Sequence, residues 1–443
     1  MTKLLFSLLA TVFLCTTTPA QTWRELTPSD GPIPRARFNA SATYDPVAHR
    51  MVVFGGRTSN ADQNDVWAFD LNENSWTEIT PDNDGPTPIP RATHNAVYDP
   101  DNYQMLIWSG QKLDGGRQFL NDVWAFDLAT HTWTPFAPEG PVPLNRYGTA
   151  AIFDPLAQTL VTFAGFTDDG RFDDTWTFNP NANAWTDITP STDRPRKRCL
   201  HHAVYDRRDH QMVIYGGQGA GAQKDIWSFD LTTGSWTELT PEDSPPGRWF
   251  AASAYDALNH RFLMFGGERL GADGGTTDEV WTFDLDQNAW ILLETAGTPP
   301  LKRTRPASIY IEAEARMIIF GGAEGTALGD VWALEGLDPP TAVEETQDAL
   351  PDELALEQNY PNPFNPTTTI GYNLPVAGQV ELRIYDALGQ PVRRLVGHHQ
   401  QAGAHTVVWD GTDARGLPVA SGVYLYRLST GQTQQSRRLV LIR

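Results

Sequence analysis

A chain of 443 residues with 33 lysines and arginines against 54 aspartates and glutamates carries a net charge of −21. That sign argues against a surface that neutralises phosphates, so nucleic acid is set aside as a partner. Thirty-seven glycines and 33 prolines make the chain turn-rich, and a 40% hydrophobic content still allows a buried core. Lys3 and the apolar run Leu4 to Leu14, followed by Thr18-Pro19-Ala20, read as a secretory signal peptide over residues 1–20. Cleavage after Ala20 removes Cys15 and leaves Cys199 as the one thiol, so stability rests on packing and closure without disulfides. No later stretch is long and apolar enough to predict an integral membrane segment.

From residue 21 to 337 the chain repeats itself. The segment Met51 to Gly56, MVVFGG, recurs with variations ending at Gly110, Gly165, Gly217, Gly267 and Gly322, giving six copies 50 to 55 residues apart. A tryptophan follows each glycine by 10 to 14 residues: Trp67, Trp124, Trp176, Trp227, Trp281 and Trp332. Nine residues beyond five of these stands another, at Trp76, Trp133, Trp185, Trp236 and Trp290. Alternating short apolar segments make each unit four strands, the first rich in small residues that suit the narrow inner edge of a propeller blade. The last unit lacks its fourth strand, and Trp23-Arg24-Glu25-Leu26-Thr27 supplies a matching one. The N-terminus is therefore expected to close the ring and cover an exposed sheet edge.

Gly55-Gly56, Trp67 and Trp76, with their counterparts, resemble the kelch motif. The resemblance implies an all-β, six-bladed kelch-like β-propeller, a scaffold of binding proteins and of a minority of enzymes. Short, similar turns on one face and long, variable loops on the other place recognition on the loop face. Each unit carries on that face an arginine seven residues before its Tyr or Phe: Arg37, Arg91, Arg146, Arg198, Arg248 and Arg303. Two readings stand. The arginines form an anion-binding ring, or each pairs with the acid two residues before Trp67 or its counterpart, Asp65, Asp122, Asp174, Asp225, Glu279 or Asp330.

His94 and His201 share one repeat position, with His202 adjacent, and join the candidate ligand-binding residues; too few ligands converge there to predict a metal. His49, His210 and His260 read as turn residues, and Asp168-Asp169-Gly170 and Gly271 to Gly275 as solvated turns without calcium-loop spacing. No hydrolase elbow, zinc-protease helix or phosphate loop appears, and Cys199 lacks the surroundings of a copper oxidase, so no catalytic residue, metal or cofactor is expected.

Residues 338–354 form an acidic, proline-containing linker, and residues 355–443 read as a small immunoglobulin-like β-sandwich. The stretches Gln358-Asn-Tyr-Pro-Asn-Pro-Phe-Asn-Pro, Tyr385-Asp-Ala-Leu-Gly and Ser421-Gly-Val-Tyr resemble the C-terminal sorting domain of type IX secretion cargo. That resemblance implies export through the periplasm of a Gram-negative bacterium to the outside or the outer cell surface, with the type IX machinery as a partner. The expectation is a monomeric binding protein for a protein or glycan ligand. The alternative is a carbohydrate-active enzyme using channel-mouth groups such as Arg198 and Asp225 on an acidic sugar.

Overall fold

The computed structural model describes residues 21–81, 85–270, 274–337 and 354–441, the last with breaks at 360–361, 363, 365, 377, 387–388, 401–402, 414–416 and 432. The leader at 1–20, the linker through 353, loop residues 271–273 and Arg443 lie outside the described residues. Two compact units divide the chain, Met1–Pro340 and Thr341–Arg443.

In the first unit β1 (Gln21–Glu25) precedes the sheet β2 (Ser41–Asp45), β3 (Arg50–Phe54), β4 (Val66–Asp70) and β5 (Ser75–Glu78), an antiparallel meander. The same meander recurs from Asn95, Ala150, His202 and Ala252. The sixth sheet, among the described residues, is built on Ala307–Ile311, Arg316–Phe320 and Val331–Glu335, and β1 completes it. There Trp23 pairs with Leu334 and Glu25 with Trp332, so the closing strand comes from the other end of the unit. A short strand, Thr295–Ala296, adds to β1 in parallel.

Alternation along β4 explains how the sheets stack. Trp67, Phe69 and Leu71 pack against Ile318, Phe320 and Val331 of the sixth sheet, while Val66 and Ala68 pack against Met105 and Ile107 of the second. Each sheet thus buries a bulky face on one neighbour and a smaller face on the other. The inner strands adjoin one another in order, and Ala307–Ile311 returns to β2.

Backbone geometry accounts for the glycine pair. The second of each pair has φ between +89 and +117, and a Cβ there would lie 2.8 Å from Ala40 Cβ at Gly56 and 2.7 Å from His201 Cβ at Gly217. The first position is left-handed as well, and a Cβ there would lie 2.5–2.9 Å from the next repeat arginine's carbonyl oxygen at Gly55, Gly216, Gly266 and Gly321, whereas units two and three hold Ser109 and Ala164 at φ 64 and 59.

The second unit has a three-stranded sheet (Ala355–Leu356, Thr368–Leu374, Gly403–Trp409) and a four-stranded one (Gly378–Tyr385, Pro391–Gln400, Gly422–Thr430, Gln434–Leu441). Tyr372 and Trp409 of one and Leu382, Tyr426 and Leu439 of the other share one core. The proline-rich motif is anchored in it: Asn359 N–H donates to Tyr426 Oη (2.8 Å), and Phe364 packs 5.5 Å from the Trp409 ring. Arg437, on the last strand, donates to the Leu356 carbonyl.

Candidate functional site

The repeat arginines separate the two sequence readings. Arg198 is fully buried; its Nη1 and Nη2 meet Asp225 at 2.8 and 2.6 Å, Nη1 also reaches the Gly216 carbonyl (2.9 Å), and Nε reaches that of Arg196 (3.1 Å). Arg37, Arg91, Arg146 and Arg303 make the same bidentate pair with Asp65, Asp122, Asp174 and Asp330. Arg248 meets Glu279 through one oxygen at 2.8 Å, the other being held by Arg269 at 3.1 Å. Each acid also accepts the indole N–H of the tryptophan two residues on, as Trp227 does for Asp225 at 2.8 Å.

Burial alone would raise the Asp225 carboxyl, but the Arg198 guanidinium and the Trp227 N–H outweigh it and hold it below its ordinary range. The anion-ring assignment of Arg37, Arg91, Arg146, Arg198, Arg248 and Arg303 is therefore corrected: their forks are occupied within the protein, fastening each strand entry to the following loop. The role of the tryptophan N–H escaped the sequence reading, although the fixed two-residue spacing carried it.

Two residues after each arginine, the backbone turns left-handed: Asn39, Thr93, Leu200, Phe250 and Arg305 have φ between 55 and 62, and Gly148 lies at 64. These six donate N–H to one another's carbonyls in a closed circle, Asn39 to Arg305, Thr93 to Asn39, Gly148 to Thr93, Leu200 to Gly148, Phe250 to Leu200 and Arg305 to Phe250, at 2.7 to 3.3 Å. The circle delivers five side chains, all but that of Gly148, to the loop-face end of the channel.

Beneath them is a cavity of ≈ 170 Å³ lined by His94, His201, His202, Asn95, Thr149 and Arg305 among others, with no carboxylate in its wall. His94 Nε2 lies 2.6 Å from Ser41 Oγ, and the Ala251 N–H donates to His202 Nε2 at 3.3 Å. Both ring nitrogens of His201 lack a partner among the described residues, because Ala150 stands where Ser41 faces His94. Burial, with Arg91 nearby, pulls His94 down to about 3; burial and Arg248 do the same to His202, and burial with Arg198 lowers His201 well below its ordinary value. All three are neutral at physiological pH.

Arg305 is the feature the sequence reading passed over. Its guanidinium lies 4.5 Å from the Phe250 ring and 5.4 Å from that of Phe38; it makes no salt bridge among the described residues, although the Glu268 carboxylate, which accepts the Trp249 N–H at 3.1 Å, acts on its charge. Its Nε is buried without a partner, and burial lowers its pKa, which still leaves an arginine charged. Further out, Phe119 and Tyr147 stack at 5.6 Å, Phe166 meets Tyr147 edge-on, and Arg171 lies 5.5 Å over Phe166. Cys199 is buried beneath this shelf, packed with Leu200 and Trp249.

The remaining candidates behave as fold elements. His49, His210 and His260 occupy left-handed turn positions, as expected, and each reaches an acid of the preceding sheet: Glu314, Asp154 and Asp206 at 2.9 to 3.1 Å. Asp206, Asp209 and His260 bring ligand atoms within 4.8 Å, but Arg208 sits among them, 2.9 Å from His260 Nδ1. Asp168 and Asp169 form the turn of a short hairpin, Phe166–Thr167 with Gly170–Arg171.

The family model described as KLHDC2/KLHL20/DRC7 Kelch-repeats domain matches residues 80–267 and 183–338, a Kelch motif matches 44–83, and a FlgD Ig-like domain matches 365–434. The chain is similar to the leucine-zipper-like transcriptional regulator 1 homolog of Drosophila melanogaster, 27% identical over 305 residues, covering 64% of this chain and 30% of that protein. It is similar to leucine-zipper-like transcriptional regulator 1 of Pongo abelii, 27% identical over 51% of this chain and 27% of the relative. Kelch repeat-containing protein 2 of Saccharomyces cerevisiae is 28% identical over 44% of the chain and 23% of the relative. The matched stretch thus spans under a third of each relative's length. Repeat spacing, stacked meanders and matched family agree: the chain belongs to the kelch-repeat family.

Proposed function

We propose that this is a binding protein that captures an acidic segment of a protein partner on the loop face, with a carboxylate seated at the channel mouth against Arg305. One observation carries the reading: a cation backed by two aromatic rings, in no salt bridge among the described residues although Glu268 acts on its charge, stands over a cavity that has no carboxylate in its wall. A guanidinium so placed offers a fork to a planar oxyanion, and the surrounding aromatic shelf supplies apolar contact. Kelch-repeat proteins generally mediate protein interactions, which supports a binding role. Arg198 and Asp225, the groups named for the enzymatic alternative, are paired with each other, which favours the binding reading.

The test is fluorescence polarisation of labelled Glu/Asp-rich and charge-neutral peptide pools against the full chain and its Arg305→Met variant. Acidic peptides should bind, weaken by about tenfold or more in the variant, and weaken with added salt. Equal binding by both proteins, or no preference for acidic peptides, would remove the proposal. Export rests on the leader and on the C-terminal sandwich acting as an address. Residues 355–443 fused to a reporter should carry it outside a type IX-competent cell, and retention in the periplasm would defeat that reading.

A further inference from the structure

The face opposite the loops holds a second, larger cavity. The next-to-last residue of each inner strand is aromatic, Tyr44, Tyr98, Phe153, Tyr205, Tyr255 or Tyr310, and these six residues line ≈ 360 Å³ at the end of the channel. That volume falls within the range of about 300–1,000 Å³ usual for small-ligand sites.

No charged residue lines this space, but carboxylates stand behind its wall. Asp45, Asp99, Asp154, Asp206 and Asp256 directly follow five of the aromatics and are at most 2% exposed. Arg50 and Arg261 pair with Asp45 and Asp256, and His210 and His260 meet Asp154 and Asp206, but the Asp99 side chain is bonded to the neutral Asn102 and Gln104. The field reaches the phenols: Tyr98 is pushed up to about 12 by burial and by the Asp45 and Asp99 carboxylates, and Tyr205 is raised by burial, Asp154 and Asp206. The chain's own continuation does not suit the cavity, because the segment after Leu337 carries Glu344, Glu345 and Asp348.

Aromatic walls under a negative field repel anions and reward a cation whose charge is spread over methyl groups, since such a cation sheds water readily and meets the negative faces of the rings. A lysine-type ammonium, compact and strongly hydrated, loses more on entering. We infer that the tyrosine-lined end of the channel binds a quaternary ammonium group.

The experiment titrates the full chain with choline and with 3,3-dimethylbutan-1-ol, which has the same shape without the charge, using ligand-observed NMR and calorimetry. Choline should bind saturably, and the neutral alcohol at least about tenfold more weakly. Tyr98→Leu and Tyr205→Leu should each weaken choline by about three- to tenfold, while Tyr98→Phe and Tyr205→Phe stay within about twofold, because the ring supplies the attraction. Arg305→Met should leave choline binding unchanged, which keeps this site separate from the loop face. Cosedimentation with phosphatidylcholine but not phosphatidylglycerol vesicles assigns the group to a lipid headgroup; choline binding without cosedimentation assigns it to a soluble ligand. Equal affinity for choline and the alcohol, leucine variants that bind as tightly as the parent, or no choline binding up to about 20 mM overturns the inference. The choline-against-alcohol comparison on the unmodified protein decides the matter even where a leucine variant fails to fold.

Discussion

Replacing Arg198 by Met keeps much of the buried stem but removes all four donated hydrogen bonds, two to Asp225 and one each to the Gly216 and Arg196 carbonyls. Asp225 then keeps the Trp227 N–H but loses its counter-charge while 22% exposed. Breaking a buried pair from one side costs about 3–5 kcal/mol. At roughly 2–4 °C per kcal/mol for a large domain, the melting temperature should fall by about 6–20 °C. Urea denaturation supplies the free energy, and differential scanning fluorimetry the shift. Arg198→Met with Asp225→Leu should recover about 1–3 kcal/mol, as an unpaired carboxylate no longer remains. Arg248→Met should cost about 1–2 kcal/mol less than Arg198→Met, because Glu279 retains Arg269. An Arg198→Met protein that melts like the parent yet loses an anionic ligand would refute the pairing account and restore the arginine ring.

Deleting residues 22–28 uncovers the edge of Val331–Glu335 and removes the Trp23 ring packed 4.7 Å from Phe265, so size-exclusion chromatography should show aggregation. A monodisperse truncated protein with unchanged melting would contradict ring closure. Below about pH 6.5 the unfolded chain protonates histidines that the folded protein keeps neutral at positions 94, 201 and 202, so stability is fully present above that pH and declines toward pH 3. Between pH 7 and 5 each should account for about 2 kcal/mol in urea titrations, and His202→Gln should flatten the profile by about that amount; an unchanged slope would count against the neutral histidines. Gly217→Ala, whose Cβ would lie 2.8 Å from the Cys199 carbonyl at φ +94, should lose about 2 kcal/mol or more, while Gly221→Ala, open on all sides, should stay within about 0.5 kcal/mol.

Most of the scaffold was legible because repetition multiplies weak signals. One Trp-Thr-Glu-Ile-Thr segment is ambiguous, but a fourth strand missing after Trp332 and present at Trp23 specifies the closing pair. The arginine and acid series were also visible, yet spacing alone does not say whether two charges meet; that depended on the chain folding Arg198 under the Gly216 carbonyl. Arg305 was hidden for the opposite reason. It breaks the repeat, standing where the other units place Asn39, Thr93, Gly148, Leu200 and Phe250, and a search for regularity passes over the position that departs from it. The tyrosine collar lay in plain view as strand ends, but that six ends surround one space is a property of closure, not of any single unit.

The most direct test of the central claim is a crystal structure of the full chain with the tightest-binding acidic peptide. The account predicts a peptide carboxylate within about 2.7–3.2 Å of the Arg305 guanidinium, with all six repeat arginines still paired to their acids. A peptide seated on an outer blade surface, or held by a repeat arginine released from its acid, would contradict it.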